Sequence, residues 1–284
     1  MVSESQLKSI AKDIRRMTLL CAGSSGEGHL GGALSISDLL AVLYHNKMRV
    51  DPQNPKKPGR DRLIVSKGHA GPAVYAALAS RDFFPKDWLK TLNALGTNLP
   101  SHCDMNKTPG IDMTTGSLGQ GLSAAVGCAI ASRLSADGAL IYCILGDGES
   151  QEGQIWEAAM AAGNYQLNNL CAIVDNNNIQ IDGTIEEIMS PYPIDKKFEA
   201  FKFNVVTCDG HDMQSICRAF AEARKETEKP TVIIAKTING KGVSFMENNN
   251  EWHGNDPNTE QYLKAAAELD AEIARAEKEA ASNE

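Results

Sequence analysis

Two short polar motifs follow apolar stretches that the sequence predicts to be strands. Gly-Asp-Gly at 146–148 comes directly after the apolar run 140–145, and Asn-Asn at 176–177 follows the apolar run 170–174. A carboxylate, an amide carbonyl and a nearby backbone carbonyl are hard oxygen ligands of the kind that Mg²⁺ prefers, with diphosphate oxygens completing its octahedron. Either motif alone would more often be a plain turn, but the pair at this spacing indicates a magnesium–diphosphate site.

The elements around these motifs alternate between strand and helix. Such alternation predicts an α/β fold: a parallel sheet with helices on both faces, whose ligands lie beyond the carboxyl ends of the strands. The pattern predicts strands at 62–66, 140–145, 170–174, 204–207 and 231–235, and helices at 6–20, 36–48, 154–162 and 213–226.

The end of the chain has a different composition. From 259 onward it is rich in Ala and Glu with apolar residues at helical spacing, which predicts a surface helix. We therefore expect one binding domain over 1–258 and a helical tail over 259–284.

Composition narrows the class of protein. The net charge is −8 with scattered basic residues, so we expect no nucleic-acid surface. Seven cysteines without a CxxC pair favour free thiols in a reducing compartment. No stretch has the length and apolar character of a signal peptide or a membrane span. We expect a soluble, cytoplasmic protein that does not bind membranes.

Further segments resemble the N-terminal part of transketolases, in the same order and at compatible spacing. The resemblance runs from about residue 6 to about residue 258, and the Thr-Thr-Gly-Ser-Leu-Gly-Gln-Gly stretch separates transketolase-like enzymes from the E1 subunits of dehydrogenases. Lys67 and Ser117 differ slightly from common family variants. The matching segments are 28–32, 66–70, 99–102, 114–121, 151–153, 241–242 and 252–254.

The resemblance implies a thiamine diphosphate site with its metal. Asp147, Asn177 and the backbone carbonyl of Ile179 would bind Mg²⁺, for which Ca²⁺ or Mn²⁺ could substitute, and Asn176 would shape the loop. The other implied cofactor contacts are His69, Gly116, Ser117, Leu118, Gly146, Gly148 and His253.

Four histidines lie in the matching loops, and imidazoles suit proton transfer near neutral pH. The resemblance implies that His29 and His253 handle protons at the carbonyl and the C1 and C2 hydroxyls of a ketose. It implies that His69 and His102 bind the first hydroxyls of that donor. The resemblance as a whole implies ketol transfer from a ketose phosphate to an aldose phosphate.

Three further residues carry weaker expectations. The resemblance implies a catalytic role for Glu152, in a carboxylate network that links two cofactor sites near a dimer interface. Equally, Glu152 is an acidic residue that the helix dipole favours at a helix start. We expect structural roles for His45, inside a helix, and for His211, at the start of one.

The chain ends where a full-length transketolase would finish its first domain. The activating Glu of the family, and most of its arginines for sugar phosphate, belong to the pyrimidine-binding domain. We therefore expect a split enzyme whose partner chain carries that domain, in an α₂β₂ assembly. The polar close at 282–284 favours a natural terminus over a truncated chain.

Three alternatives stay open at this point. The first is another thiamine enzyme, either a 1-deoxyxylulose-phosphate synthase or a dehydrogenase E1 α-subunit. The second is a non-catalytic homologue that kept the fold. The third is a specialised transketolase acting on a sulfo- or branched sugar, which this half of the enzyme does not exclude.

Overall fold

A five-stranded parallel sheet forms the centre of the protein, in a computed structural model that describes residues 2–23 and 28–282. A short antiparallel hairpin stands apart from it. The sheet strands are β1 (Arg62–Val65), β2 (Ile141–Gly146), β3 (Leu170–Asn176), β6 (Asn204–Asp209) and β7 (Thr231–Lys236), and the hairpin strands are β4 (Ile179–Gln180) and β5 (Gly183–Thr184). The spatial order is β1-β2-β3-β7-β6, so the motifs after β2 and β3 lie on neighbouring strands.

Eleven α-helices surround the sheet in the described part of the chain. They are α1 (Glu4–Gly23), α2 (Leu30–Leu34), α3 (Ser37–Val42), α4 (Gly71–Ser80), α5 (Gln120–Ser135), α6 (Gly153–Asn164), α7 (Ile185–Met189), α8 (Ile194–Ala200), α9 (Met213–Lys225), α10 (Glu251–Gly254) and α11 (Thr259–Ser282). A turn of π-helix, Leu43–Lys47, continues α3.

Helices cover both faces of the sheet, because successive strand residues point to opposite sides. Ile144 packs in one buried cluster with residues of α1, α3, α4 and α9. Its neighbour Cys143 packs in a second cluster with residues of α5, α6 and α8. Strands buried on both faces are expected to be apolar throughout, as these are. The predicted fold class is confirmed.

The parallel arrangement gathers several polar loops at one edge of the sheet. The segments that follow β1, β2, β3 and β7 begin at Ser66, Asp147, Asn177 and Thr237. All four strands end at the same, carboxyl edge, where parallel sheets bind ligands. The fold thus brings together motifs that are far apart in the sequence.

The predicted tail helix is present as α11. Its buried residues Ala265, Ala266 and Leu269 share an apolar cluster with Leu19 and Ala22 of α1. The division into a domain over 1–258 and a tail stays a prediction.

Two expectations from composition can be compared with the structure. All seven cysteines are free thiols, as predicted, and five of them are buried. Over the described residues, no helix combines the length and apolarity that crossing a bilayer requires.

Two glycines of α5 provide a matched test of this packing. A Cβ on Gly121 would lie 2.4 Å from Cβ of Ser66, whereas a Cβ on Gly127 would meet nothing within 4 Å. We expect Gly121→Ala to lower the free energy of unfolding by about 1–3 kcal/mol through overpacking. Gly127→Ala should raise it by about 0.5–1 kcal/mol through helix propensity.

Urea titration of both variants measures the difference. Equal effects of the two substitutions would show that α5 does not pack against the end of β1 as described.

Candidate active site

The turn after β2 holds a buried carboxylate. Asp147 is 2% exposed, and its side chain accepts hydrogen bonds from Gly148 N at 2.8 Å, Asn178 N at 2.6 Å and Asn176 Nδ2 at 3.0 Å. Burial, and then the charge of Asp175, raises the pKa of Asp147 to about 6. A buried carboxylate in this state would be stabilised by a cation close to it.

The loop after β3 meets this turn. Asn177 donates from Nδ2 to Asp175 Oδ2 at 2.8 Å, and its Oδ1 accepts from Ile179 N at 3.0 Å. Asn178 between them has a left-handed φ of 62°, which reverses the chain there. Asp147, Asn177 and Ile179 all line one cleft of about 210 Å³. The three residues predicted to bind the metal are therefore brought together.

The donor set fits a metal held jointly with a diphosphate. Within the described residues, no group of three or more His, Cys, Asp or Glu side chains is placed to hold a metal ion. One carboxylate, one amide and one backbone carbonyl form an incomplete shell for Mg²⁺, which takes its other oxygens from phosphate and water. Gly146, Gly148 and Leu118 line the same cleft and would lie beside such a ligand.

Histidine side chains gather at this cleft. His69 and His253 are among its lining residues, with ring centroids 5.6 Å apart. His29 stands behind them, 5.1 Å from His69 and 6.5 Å from His253, and His102 is 6.4 Å from His29. The four predicted histidines thus form one cluster, of which His102 is the exposed member.

The cluster is electrostatically biased toward neutral imidazoles. Burial, followed by the charge of Lys67, lowers the pKa of His253 to about 4 and that of His69 well below its usual value. Burial and the proximity of His102 lower the pKa of His29. The Nδ1 atom of His253 is buried and has no hydrogen-bond partner in the described structure. Neutral rings of this kind can accept protons from a bound substrate.

A buried ion pair under the cleft was missed by the sequence analysis. Lys67 Nζ lies 2.6 Å from Asp175 Oδ2, and the two side chains are 3% and 0% exposed. Lys67 also donates to Gly32 O at 2.7 Å. Burial alone would raise the pKa of Asp175, but the Lys67 ammonium and several hydrogen bonds hold it below its usual range. The sequence places Lys67 in the matching segment 66–70, but it does not reveal the partner of this lysine, Asp175, which is 108 residues away.

A second missed residue, Glu149, joins three loops. Its buried carboxylate accepts from Ser66 Oγ at 2.5 Å, Gly119 N at 2.8 Å and Gly146 N at 3.0 Å. It therefore fixes the 114–121 turn against the Gly-Asp-Gly turn. The sequence analysis assigned no role to this position, because a glutamate two residues after Asp147 does not reveal its partners.

The 114–121 turn packs closely on the loop after β1. A Cβ on Gly68 would lie 2.7 Å from the carbonyl carbon of Thr115, so only glycine allows this approach. Of the three cofactor residues predicted here, Leu118 lines the cleft. Gly116 lies beside the His102 ring. Ser117, between Gly116 and Leu118 in the sequence, is not among the residues that line the cleft.

The remaining expectations concern residues outside the cleft. Glu152 is exposed at the N-cap position of α6 and makes no side-chain capping bond, so its interface role stays a prediction. His45 contacts Ser80 Oγ at 2.9 Å. His211 bridges Asp38 Oδ2 at 2.7 Å and the backbone N of Ile238 at 2.9 Å. These two histidines have the structural contacts that were expected.

Comparison with known proteins decides the family. Residues 6–272 match the family described as "Transketolase, thiamine diphosphate binding domain". This chain belongs to the transketolase family. The likeness extends to solved transketolases: that of Leishmania mexicana superposes with a TM-score of 0.87 at 29% identity, covering 96% of this chain and 45% of that one.

Two kinds of transketolase relative match the chain. The 6-deoxy-6-sulfo-D-fructose transketolase subunit of Clostridium sp. (strain MSTE9) is 50% identical over 95% of this chain and 99% of its own length. An apulose-4-phosphate transketolase subunit of Phocaeicola vulgatus is 42% identical over 89% of each chain. Human transketolase is 38% identical over 87% of this chain but 39% of its own length. The two relatives of similar length named here are described as subunits.

The buried ion pair generates a test of how this site is built. Lys67→Met should lower the free energy of unfolding by about 3–5 kcal/mol, because Asp175 would be left buried and uncompensated. Lys90→Met is the matched control: its pair with Asp87 is exposed and should contribute less than about 1 kcal/mol.

Urea titration at neutral pH compares the two variants. A loss from Lys67→Met no larger than that from Lys90→Met would contradict the described pair.

Proposed function

We propose that this chain is the diphosphate-binding subunit of a two-chain transketolase that moves a two-carbon ketol unit from a ketose phosphate to an aldose phosphate. The observation that carries the proposal is the cluster of four imidazoles, two of which, His69 and His253, line the same cleft as Asp147, Asn177 and Ile179. A metal-diphosphate anchor and proton-transfer groups at one cleft are what this reaction class requires.

The anchor residues have distinct tasks. Asp147, Asn177 and the Ile179 carbonyl would hold Mg²⁺, or Ca²⁺ or Mn²⁺ in its place, and the glycines at 146 and 148 let the backbone approach the diphosphate. When bound, thiamine diphosphate supplies the carbon nucleophile of the reaction. The Glu149 carboxylate accepts a hydrogen bond from Gly119 N and so holds the 114–121 turn in place. Leu118 of that turn lines the cleft, where its side chain would orient the ligand.

The histidines would handle the substrate. His29 and His253 are assigned to proton transfer at the ketose carbonyl and its C1 and C2 hydroxyls, and His69 and His102 to hydrogen bonds with the first hydroxyls of the donor. The lowered pKa values of His29, His69 and His253 keep these rings able to accept a proton at neutral pH.

A partner chain carrying the pyrimidine-binding domain would complete the site, in an α₂β₂ assembly. Leu118 and Ile181 line the cleft and are 37% and 62% exposed, and Ile188 and Met189 of α7 are 44% and 65% exposed. Exposed apolar side chains grouped around a polar cleft are typical of a protein interface. Single-chain relatives have more than half of their length beyond the matching part, which is where such a domain would come from.

A sulfonated donor is the second candidate substrate class. It is favoured by the 50% identity to a relative named for 6-deoxy-6-sulfo-D-fructose, which exceeds the 38% identity to human transketolase. Sulfonate and phosphate are both anionic, and the proposed partner would supply most of the groups that distinguish them. The ketol chemistry assigned to this chain is the same for both donors.

The proposal is tested by ketol transfer to ribose 5-phosphate with thiamine diphosphate and Mg²⁺. The chain alone should be silent, and addition of a candidate partner with the pyrimidine-binding domain should give turnover. Parallel assays with xylulose 5-phosphate and 6-deoxy-6-sulfo-D-fructose identify the donor class. Asp147→Ala should lower turnover by at least about 100-fold through loss of the metal anchor, and Asp87→Asn, on the exposed surface, should not change it.

Chelation by EDTA should abolish turnover, and Mg²⁺ should restore it. Robust turnover by the chain alone would contradict the split enzyme. Full activity of Asp147→Ala with the partner would contradict the assigned anchor.

A further inference from the structure

A second cleft lies at the amino edge of the sheet, away from the candidate active site. It has a volume of about 870 Å³ and is bordered by the starts of β2 and β3 and by the ends of α5 and α9. Leu140 and Tyr142 of the β2 region and Leu170 and Cys171 of β3 are among its walls. None of the catalytic or cofactor residues assigned above belongs to this amino-edge cleft.

The charge of the amino-edge cleft is predominantly positive. Its charged lining residues are Lys47, Arg49, Arg133, Arg224 and Glu226, which is four cations against one anion in a chain whose net charge is −8. Arg49 is paired with Asp61. A local excess of cations on an acidic protein indicates a site for an anion.

A buried hydroxyl whose proton has no acceptor adds independent evidence. Tyr142 is 2% exposed, and the Arg224 guanidinium beside it can only donate to the hydroxyl oxygen, so within the described residues the hydroxyl proton has no acceptor. Its ring packs edge-on against Phe220 at 5.9 Å, which fixes its direction. Burial raises the pKa of Tyr142 to about 12, so the hydroxyl keeps its proton and can donate it. Buried polar groups without a partner are rare and call for an explanation.

A second orphan atom in the same cleft is an acceptor. Asn169 Oδ1 is buried and without a partner in the described structure, while Asn169 Nδ2 donates to Ala129 O at 3.0 Å. The carbonyl oxygen is therefore free to accept a hydrogen bond from a ligand hydroxyl or amine. Met48, Leu140 and Phe220 provide apolar surface between these polar groups.

We propose that the amino-edge cleft is a second binding site, for a small organic phosphate. Its phosphate would lie between Arg133, Arg224 and the Tyr142 hydroxyl, and its organic part would cover the apolar surface and donate to Asn169 Oδ1. The volume exceeds that of a bare phosphate and suits a ligand the size of a sugar phosphate or a nucleoside monophosphate.

Hydrogen bonds to carbonyls at helix ends are a competing explanation for the positions of the arginines, but they do not explain the Tyr142 hydroxyl. Arg224 donates to Lys47 O, and Arg133 donates to Tyr165 O at 2.6 Å, so both satisfy carbonyls at helix ends. A guanidinium has five donors, and such bonds orient it while leaving donors for a ligand. These carbonyl contacts do not account for the Tyr142 hydroxyl proton, which has no acceptor within the described residues.

Calorimetric titration of the full chain tests the site with three probes: inorganic phosphate, ribose 5-phosphate and AMP. We expect saturable binding of at least one organic probe in the millimolar range or tighter. Tyr142→Phe should weaken that binding roughly tenfold or more through loss of one charge-assisted bond. Because the hydroxyl proton has no acceptor in the free protein, the same substitution should change the urea midpoint little.

Control variants separate this site from the other possibilities. Arg224→Gln should weaken binding, and Arg275→Gln on the exposed face of α11 should not. Preference for AMP or ribose 5-phosphate identifies the organic part. The proposal is overturned if no probe binds, if Tyr142→Phe and Arg224→Gln leave binding unchanged, or if binding is lost with His69→Ala instead. These binding measurements do not depend on whether the protein catalyses ketol transfer.

Discussion

The ion pair between Lys67 and Asp175 is the contact on which the carboxyl edge of the sheet depends. Asp175 is the next-to-last residue of β3, and its carboxylate accepts from Lys67, Ser35, Asn177 and Thr237. These donors come from four separate segments of the chain. Charge-assisted hydrogen bonds in a dry interior are strong only when every group is satisfied, so this network determines one arrangement of the loops.

The pair between Lys67 and Asp175 affects both the proposed metal anchor and the histidine cluster. On one side, Asn177 is oriented by Asp175, and Asp147 N donates to the Asp175 carbonyl at 3.2 Å, so the proposed metal anchor is built on β3. On the other side, the Lys67 ammonium is the largest charge acting on His69 and His253 and disfavours their protonation. A single buried pair thereby positions the anchor, and its ammonium adds to the burial that keeps the imidazoles neutral.

The sequence predicted those parts of the structure that depend on local pattern. Apolar runs and their alternation with helical segments were enough for the parallel sheet, and the turns after β2 and β3 were enough to place Asp147 and Asn177 together. The roles of Lys67 and Glu149 depend on partners that are distant in sequence, at Asp175 for Lys67 and at Ser66 and Gly119 for Glu149. No spacing rule reveals such pairs, because they arise only when separate loops meet at one sheet edge.

The central claim is that this edge holds a divalent metal through Asp147, Asn177 and the Ile179 carbonyl. A crystal structure of the chain with thiamine diphosphate and Mn²⁺, using anomalous scattering to locate the manganese, tests it most directly. The account predicts one strong peak roughly 2.2 Å from an oxygen of each of these residues and bridged to the diphosphate. A manganese ion bound instead at the histidine cluster, or a diphosphate bound away from the Gly-Asp-Gly turn, would contradict it.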